Sequence, residues 1–201
     1  HALASRTPAP GLPSATPHRR VDALQADSLR AACADASHLY LTLGLPYDTR
    51  VWQRDWPVVI EHAIAVARAR RLRLVMFDNV YPYGPVPLRV PMREDHPQQP
   101  PSRKGVLRKA LDDRLWRAAR EHDVQVLIAR SADFYGPAAR LSLLESVLFA
   151  RLRAGKAPQW LGDPDQDHSF THTPAAGRAL AALGQTPQAL GQTWHQPTAT
   201  S

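Results

Sequence analysis

Cysteine, lysine and glycine are all scarce in this sequence, and each scarcity excludes something. A single cysteine, Cys33, stands among 201 residues. It excludes an intramolecular disulfide framework and any zinc site built on paired cysteines, and the expected setting is a reducing, cytoplasmic one. The ten glycines are scattered, with no G-x-G-x-x-G turn to cradle a phosphate. No run of about 18 apolar residues exists, which excludes a membrane-spanning helix. No apolar signal segment and no methionine open the sequence, which starts at His1. Nowhere do basic and aromatic residues alternate as a single-strand nucleic-acid platform requires. No internal repeat is visible.

What is there is arginine. Lys104, Lys109 and Lys156 are the only lysines, so 22 of the 25 basic residues are arginine, and the net charge is +7. Stretches such as "ARARR" and "LWRAARE" scatter that charge among alanines, the pattern of a solvated helix surface with some affinity for anions. Nucleic acid is a disfavoured partner. With 44% hydrophobic residues the chain suits one globular unit with a proper core.

Strand and helix patterns alternate along the chain. "HALASRT" reads as a short strand, and the proline-rich "PAPGLPSATPHRR" as irregular. "VDALQADSLRAAC" reads as a strand followed by a helix capped by Asp27 or Ser28. "SHLYLTLGL" is a strand, and "WPVVIEHAIAVARAR" carries a helical stripe at Val59, Ala63, Ile64, Val66 and Ala67. The strand "RLRLVMFD" precedes a long loop over 79–102, a helix over 103–122, the strand "VQVLIARS" and the helix "LSLLESVLFARLRAG", ended by Gly155. Shorter pieces follow, with a helix over 174–183 and a last strand near "GQTWHQ". Apolar strands alternating with helices predict an α/β fold, a parallel sheet covered on both faces.

The stretch "RLRLVMFDNVYPYGP" marks the first candidate site. A buried strand leaves the core through Asp78 and Asn79, with Tyr81 and Tyr83 just beyond. In open parallel sheets, ligands sit outside the carboxyl ends of the strands. Asp78 is expected to cap a loop or helix rather than act as a base. His168, His172 and His195 lack carboxylates at ligand spacing, so no metal site is expected. Trp160 and Trp194 read as packing, and Cys33 as core.

Four stretches in order then resemble one family. They are "VDALQADSLRAAC", "YGP" with "MREDHPQQPPSRKG", "ARSADFYGPAAR" and "GKAPQWLGDPDQDHSFTHT". Together they resemble the extended short-chain dehydrogenases/reductases, the NAD-dependent epimerase/dehydratase family, over almost the whole chain. The resemblance implies a Rossmann-like doubly wound parallel sheet over residues 1–155 and a smaller substrate-binding portion over 156–201. It implies an NADP or NAD cofactor, a small-molecule substrate, and a homodimer through the helix following Lys104. "HALASRTP" is similar to the family's second strand, so the expectation is a fragment without the first strand, glycine loop and first helix. In the order 3-2-1-4-5-6 that strand is central, and the first 36 or so residues are then expected to be displaced, disordered or collapsed into its slot.

The resemblance also places an altered triad. Lys104 stands at the family's tyrosine, Arg108 at its lysine and Asn79 at its serine or threonine. Lys104 and Arg108 share a helical face, but an arginine does not deprotonate in a protein. Tyr81 is then a candidate replacement proton donor, while Tyr83 is either loop packing or substrate-facing. Cofactor contacts are implied for Arg6, Asp22, Ala23, Leu43, Gly44, Leu45 and Ser131, with Arg6 favouring the 2′-phosphate of NADP. Substrate contacts are implied for Asp133, Phe134 and Arg140. Two readings stay open, an oxidoreductase or epimerase with unusual acid–base groups, and a dinucleotide-binding sensor or scaffold without turnover.

Overall fold

The computed structural model describes residues 2–8, 15–137, 139–160 and 162–198. His1 and residues 9–14, where the first strand and the proline-rich connection were expected to begin, lie outside them. Among the described residues, eight short strands are interspersed with helices, and every strand pair is parallel. β1 (Leu3–Ser5) pairs with β2 (His18–Arg20). β3 (His38–Leu41), β4 (Arg73–Asn79), β5 (Val126–Ser131) and β8 (Thr193–His195) form a four-stranded sheet in that order. β6 (Asp133–Tyr135) pairs with β7 (Phe170–His172).

The period-2 alternation of the strands sorts the core. Leu74 and Met76 of β4 join Val126 and Ile128 of β5 beneath α2 (Thr49–Arg70) and α3 (Arg103–His122). Val75, Leu127 and Ala129 face the other way, onto Leu180 of α5 (Thr173–Gln185) and onto Ala189 and Trp194. Both faces are covered, which is why these strands are apolar throughout. The last strand, drawn from the portion after residue 155, is itself part of the main sheet, pairing Ile128 with Thr193 and Arg130 with His195.

Local chemistry sets the ends. Pro57 lies inside α2, which begins a full two turns earlier than the helical stripe indicates, because the Asp48 carboxylate accepts from the backbone N–H groups of Arg50 and Val51. Ser102 caps α3 by accepting from Gly105 N–H. Two expectations near the start are corrected. The strand is His18–Arg20 rather than "VDAL", and Gln25 precedes α1 (Ala26–Ala32) with no side-chain cap. Ser28 Oγ instead accepts from Asp22 N–H. The stretch after Ala139 contains α4 (Ala150–Arg153), preceded by a π-helical turn over Glu145–Phe149.

Among the described strands, β1 bonds only to β2 and β3 only to β4. One edge of each is therefore unpaired among the described residues. The neighbouring residues are not displaced, however. Val21, Leu29 and Cys33 are buried in the same cluster as Trp56 and Ile60 of α2. Burial of these side chains docks α1 without help from a strand beside β1.

Candidate functional site

The carboxyl ends of β3, β4 and β5 converge on the region that the sequence singles out. Asp78 is not a cap. Its carboxylate accepts from Arg108 Nε at 2.6 Å and also pairs with the Arg108 Nη2. Arg130 of β5 lies with its Nε 3.8 Å from the other Asp78 oxygen, and its Nη2 donates to Asp112 at 2.6 Å. All four side chains are sealed from water. Trp56 covers the Arg108 guanidinium at 4.4 Å and Tyr83 covers that of Arg130 at 4.6 Å. Burial, followed by the nearby Asp78 charge, pushes the Asp112 carboxyl well above the usual range, against the pull of Arg130 and Arg108. Arg108 is thus a neutralised structural cation, not a free charge at a surface.

Asn79 is committed locally as well. Its Oδ1 accepts from Tyr81 N–H at 3.0 Å, closing an Asx turn at the strand end. Gly105 lets α3 approach this turn, since a Cβ there would sit 2.5 Å from the Tyr81 carbonyl oxygen. The Tyr81 ring stacks on Trp52, and its hydroxyl lies 3.2 Å from that of Tyr47. Burial first, then the Tyr47 hydroxyl and the charge of Asp133, raise the Tyr81 phenol well above its ordinary value, with Arg108 opposing. That direction is opposite to the one an activated phenol needs. Lys104 does not point at Tyr81. Its Nζ sits 2.9 Å from the Tyr47 ring centroid and donates to the Tyr47 carbonyl oxygen at 3.3 Å.

Tyr83 is 3% exposed and packs the loop. Its hydroxyl lies 2.7 Å from His195 Nε2 and 3.3 Å from the Glu94 carbonyl oxygen, while Glu94 Oε1 accepts from His195 N–H. Burial pushes the His195 imidazole down, as do Arg130 and His96, against Glu94. The side chains at positions 78, 83, 108, 112 and 130 therefore form one interior network, which half-buried His195 joins at its rim.

Ser131 is buried at the end of β5 with an unpartnered hydroxyl. Phe134 packs on Phe77 at 5.4 Å, and both line an apolar cavity of about 250 Å³ with Thr42, Thr173, Ala176 and Leu180. Asp133 faces elsewhere and pairs with His168 Nε2 at 2.7 Å. Arg140 is exposed. Among the described residues, no group of three or more His, Cys, Asp or Glu is placed to hold a metal.

A second, polar cavity of about 320 Å³ lies at the ends of β1 and β2, lined by Arg6, Arg20, Val21, Asp22 and Ser28. Asp22 Oδ1 is occupied by Leu24 N–H, and the Ala23 carbonyl accepts from His62 Nδ1. Leu43 and Leu45 pack against the main core, while a Cβ on the exposed Gly44 would lie 3.3 Å from Leu141 Cδ1. The structure therefore separates the expected site into an arginine-lined cavity at β1–β2 and a tyrosine-lined strand end at β3–β4. Arg20, Tyr47, Arg130 and Asp112 were not visible as site residues in the sequence. Arg20 alone had a signal, its place at the end of a second short strand.

No protein family and no curated protein matches the sequence. Solved structures do. The UDP-glucuronic acid 4-epimerase of Bacillus cereus in complex with NAD superposes with a TM-score of 0.80 at 20% identity, over 94% of this chain and 62% of that one. The fold is shared with part of that epimerase. The Thermus thermophilus UDP-glucose 4-epimerase complex with NAD gives 0.73 at 16% identity, over 92% and 64%. A double mutant of the dTDP-glucose 4,6-dehydratase of Streptomyces venezuelae, also with NAD bound, gives 0.78 at 17%, over 91% and 58%. The chain thus spans less than two thirds of each of these proteins. No helix among the described residues is long and apolar enough to cross a membrane.

Proposed function

We propose that this chain carries the nucleotide-binding scaffold of a protein of the extended short-chain dehydrogenase/reductase type, that it takes NADP in preference to NAD, and that it does not use that family's phenol–ammonium proton transfer. The structural neighbours bound to NAD support the cofactor class. The observation that carries the rest is the engagement of all three triad positions. Asn79 closes a turn, Arg108 is neutralised by Asp78 and Lys104 lies against Tyr47.

The residues present fit one end of the cofactor. Arg6 and Arg20 line one cavity and make no ion pair with a described residue, which leaves two cations for a 2′-phosphate. Ser28 and Asp22 lie beside them for the ribose. Bound there, a nicotinamide dinucleotide supplies or accepts the hydride of the reaction. The chain's own part is to orient that cofactor and to exclude water at the β3–β4 strand ends. Loss of a positioned general acid costs about 10²–10⁴ in rate, so binding without rapid turnover is the reading that the diverted triad favours.

Titration of the intact protein with NADPH and NADH tests this. Saturable binding that favours NADPH, with negligible oxidation in the presence of aldehydes, ketones or nucleotide sugars, is expected. Rapid NADPH oxidation that survives Tyr81→Phe and Lys104→Met would place the chemistry on other residues. Absence of binding to either dinucleotide would remove the reading altogether.

A further inference from the structure

Lys104 and Tyr47 form a contact that neither the triad nor the cofactor cavity explains. Tyr47 lies on the connection between β3 and α2, yet remains 71% exposed. Four separate interactions hold it. The Lys104 ammonium sits 2.9 Å from its ring centroid and bonds to its carbonyl oxygen at 3.3 Å. The Trp52 ring meets it edge-on at 5.7 Å, and the Tyr81 hydroxyl lies 3.2 Å from its own. A side chain so exposed is rarely fixed on several sides. Here the fixing puts two phenolic oxygens side by side at the carboxyl ends of β3 and β4.

We infer that Tyr47 is a ligand-facing hydroxyl of this site, and that Lys104 is the positioning residue that holds it there. The inference rests on the reading above and names the group it would serve, a hydroxyl or carbonyl oxygen of a sugar. Two paired phenols use one hydrogen between them. That leaves one O–H donor and unused lone pairs on a pair whose Tyr47 member is 71% exposed, a donor–acceptor set that a sugar oxygen can satisfy. The ammonium cannot accept, so against the ring face it acts through cation–π attraction and fixes the ring without competing for the hydroxyl. At the position where the resemblance puts a phenol, the chain has an ammonium. The phenol comes instead from the β3–α2 connection.

Amide exchange and ligand titration test the two halves separately. In Lys104→Met, exchange over residues 43–48 should rise about three- to fivefold, the effect of losing an exposed cation–π contact. Lys104→Arg, which keeps a cation over the ring, should restore slow exchange. Unchanged exchange in Lys104→Met, or none restored by Lys104→Arg, overturns the positioning role. With UDP-glucose as probe, Tyr47→Phe should weaken binding about fivefold while leaving NADPH affinity unchanged. Equal UDP-glucose affinity in the two proteins, or no UDP-glucose binding by the wild type, overturns the ligand-facing role. The NADPH titration is read independently, so failure of the dinucleotide reading is told apart from failure of this one.

Discussion

Arg108 on α3 and Asp78 at the end of β4 meet inside the protein, with side chains 3% and 0% exposed. A buried cation at this place anchors the helix to the strand. It also removes the free charge that a phenol beside it would need for activation. The same pair therefore stabilises one function of α3, its docking, and forecloses another. Arg130 and Asp112 complete a buried set of two arginines and two carboxyl groups.

Breaking that set from one side should be costly. Arg108→Met leaves Asp78 buried without its main partner and is expected to lower unfolding free energy by about 3–5 kcal/mol. Replacing both partners, Arg108→Met with Asp78→Leu, should recover much of the loss, since the Asp78 charge is no longer left behind and Arg130 keeps its bond to Asp112. Urea unfolding of the three proteins is the measurement. If the double variant is as unstable as the single one, unpaired charge is not the cause.

At the other cavity, Arg6 and Arg20 should discriminate between the two dinucleotides. Arg6→Ala and Arg20→Ala are each expected to weaken NADPH binding about tenfold, the scale of one lost charge-assisted hydrogen bond. NADH binding should hardly change. An equal loss for both cofactors, or none for either, would show that these arginines are surface charge alone. Calorimetric titration at one fixed ionic strength separates the cases.

Much of the fold was legible because strand alternation and helical stripes are local signals. "RLVMFD" and "VQVLIARS" fall on β4 and β5, and 103–122 is a helix as expected. The site was less legible. Arg108 and Asp78 are 30 residues apart, and nothing local marks them as partners. Tyr47 lies in a connection that no apolar pattern describes, and it meets Tyr81 beside the Trp52 ring of α2, which contacts both. Asn79 shows the same limit from the other side. Its position at the strand end was readable, but the use of its amide by Tyr81 N–H depends on the turn.

Tyr83 and His195 should make stability depend on pH. Burial holds the His195 imidazole below its unfolded value of about 6.5. A histidine with a depressed folded-state pKa contributes stability that is present above the unfolded value. That stability is lost as pH falls below it, because the unfolded chain then binds the extra proton. Thermal unfolding of the wild type should therefore worsen from pH 7 towards pH 5, and His195→Gln should flatten that part of the profile. Parallel slopes for the two proteins would assign the dependence to other groups. Tyr83→Phe should cost about 1 kcal/mol at neutral pH through its lost hydrogen bond, whereas Tyr81→Phe should cost less.

The unpaired edges of β1 and β3 lead to the last expectation. A two-stranded sheet is marginal in water unless something covers it. Here β1 and β2 rely on Val21, Leu29 and Cys33 to join the core. β4 by contrast is bonded on both sides, to β3 and to β5, with Leu74, Val75 and Met76 fully buried. Local opening should therefore begin at β1 and β2, at a free energy well below that of global unfolding. Native-state amide exchange should show residues 3–5 and 18–20 exchanging through this opening, with residues 74–76 protected to the global limit. An unpaired parallel edge is also a template for another chain, so the opening should steepen aggregation as protein concentration rises. Protection of residues 3–5 equal to that of residues 74–76 would mean that the strand pair and the main sheet open as one unit. The edge of β1 would then be held by something other than its bonds to β2.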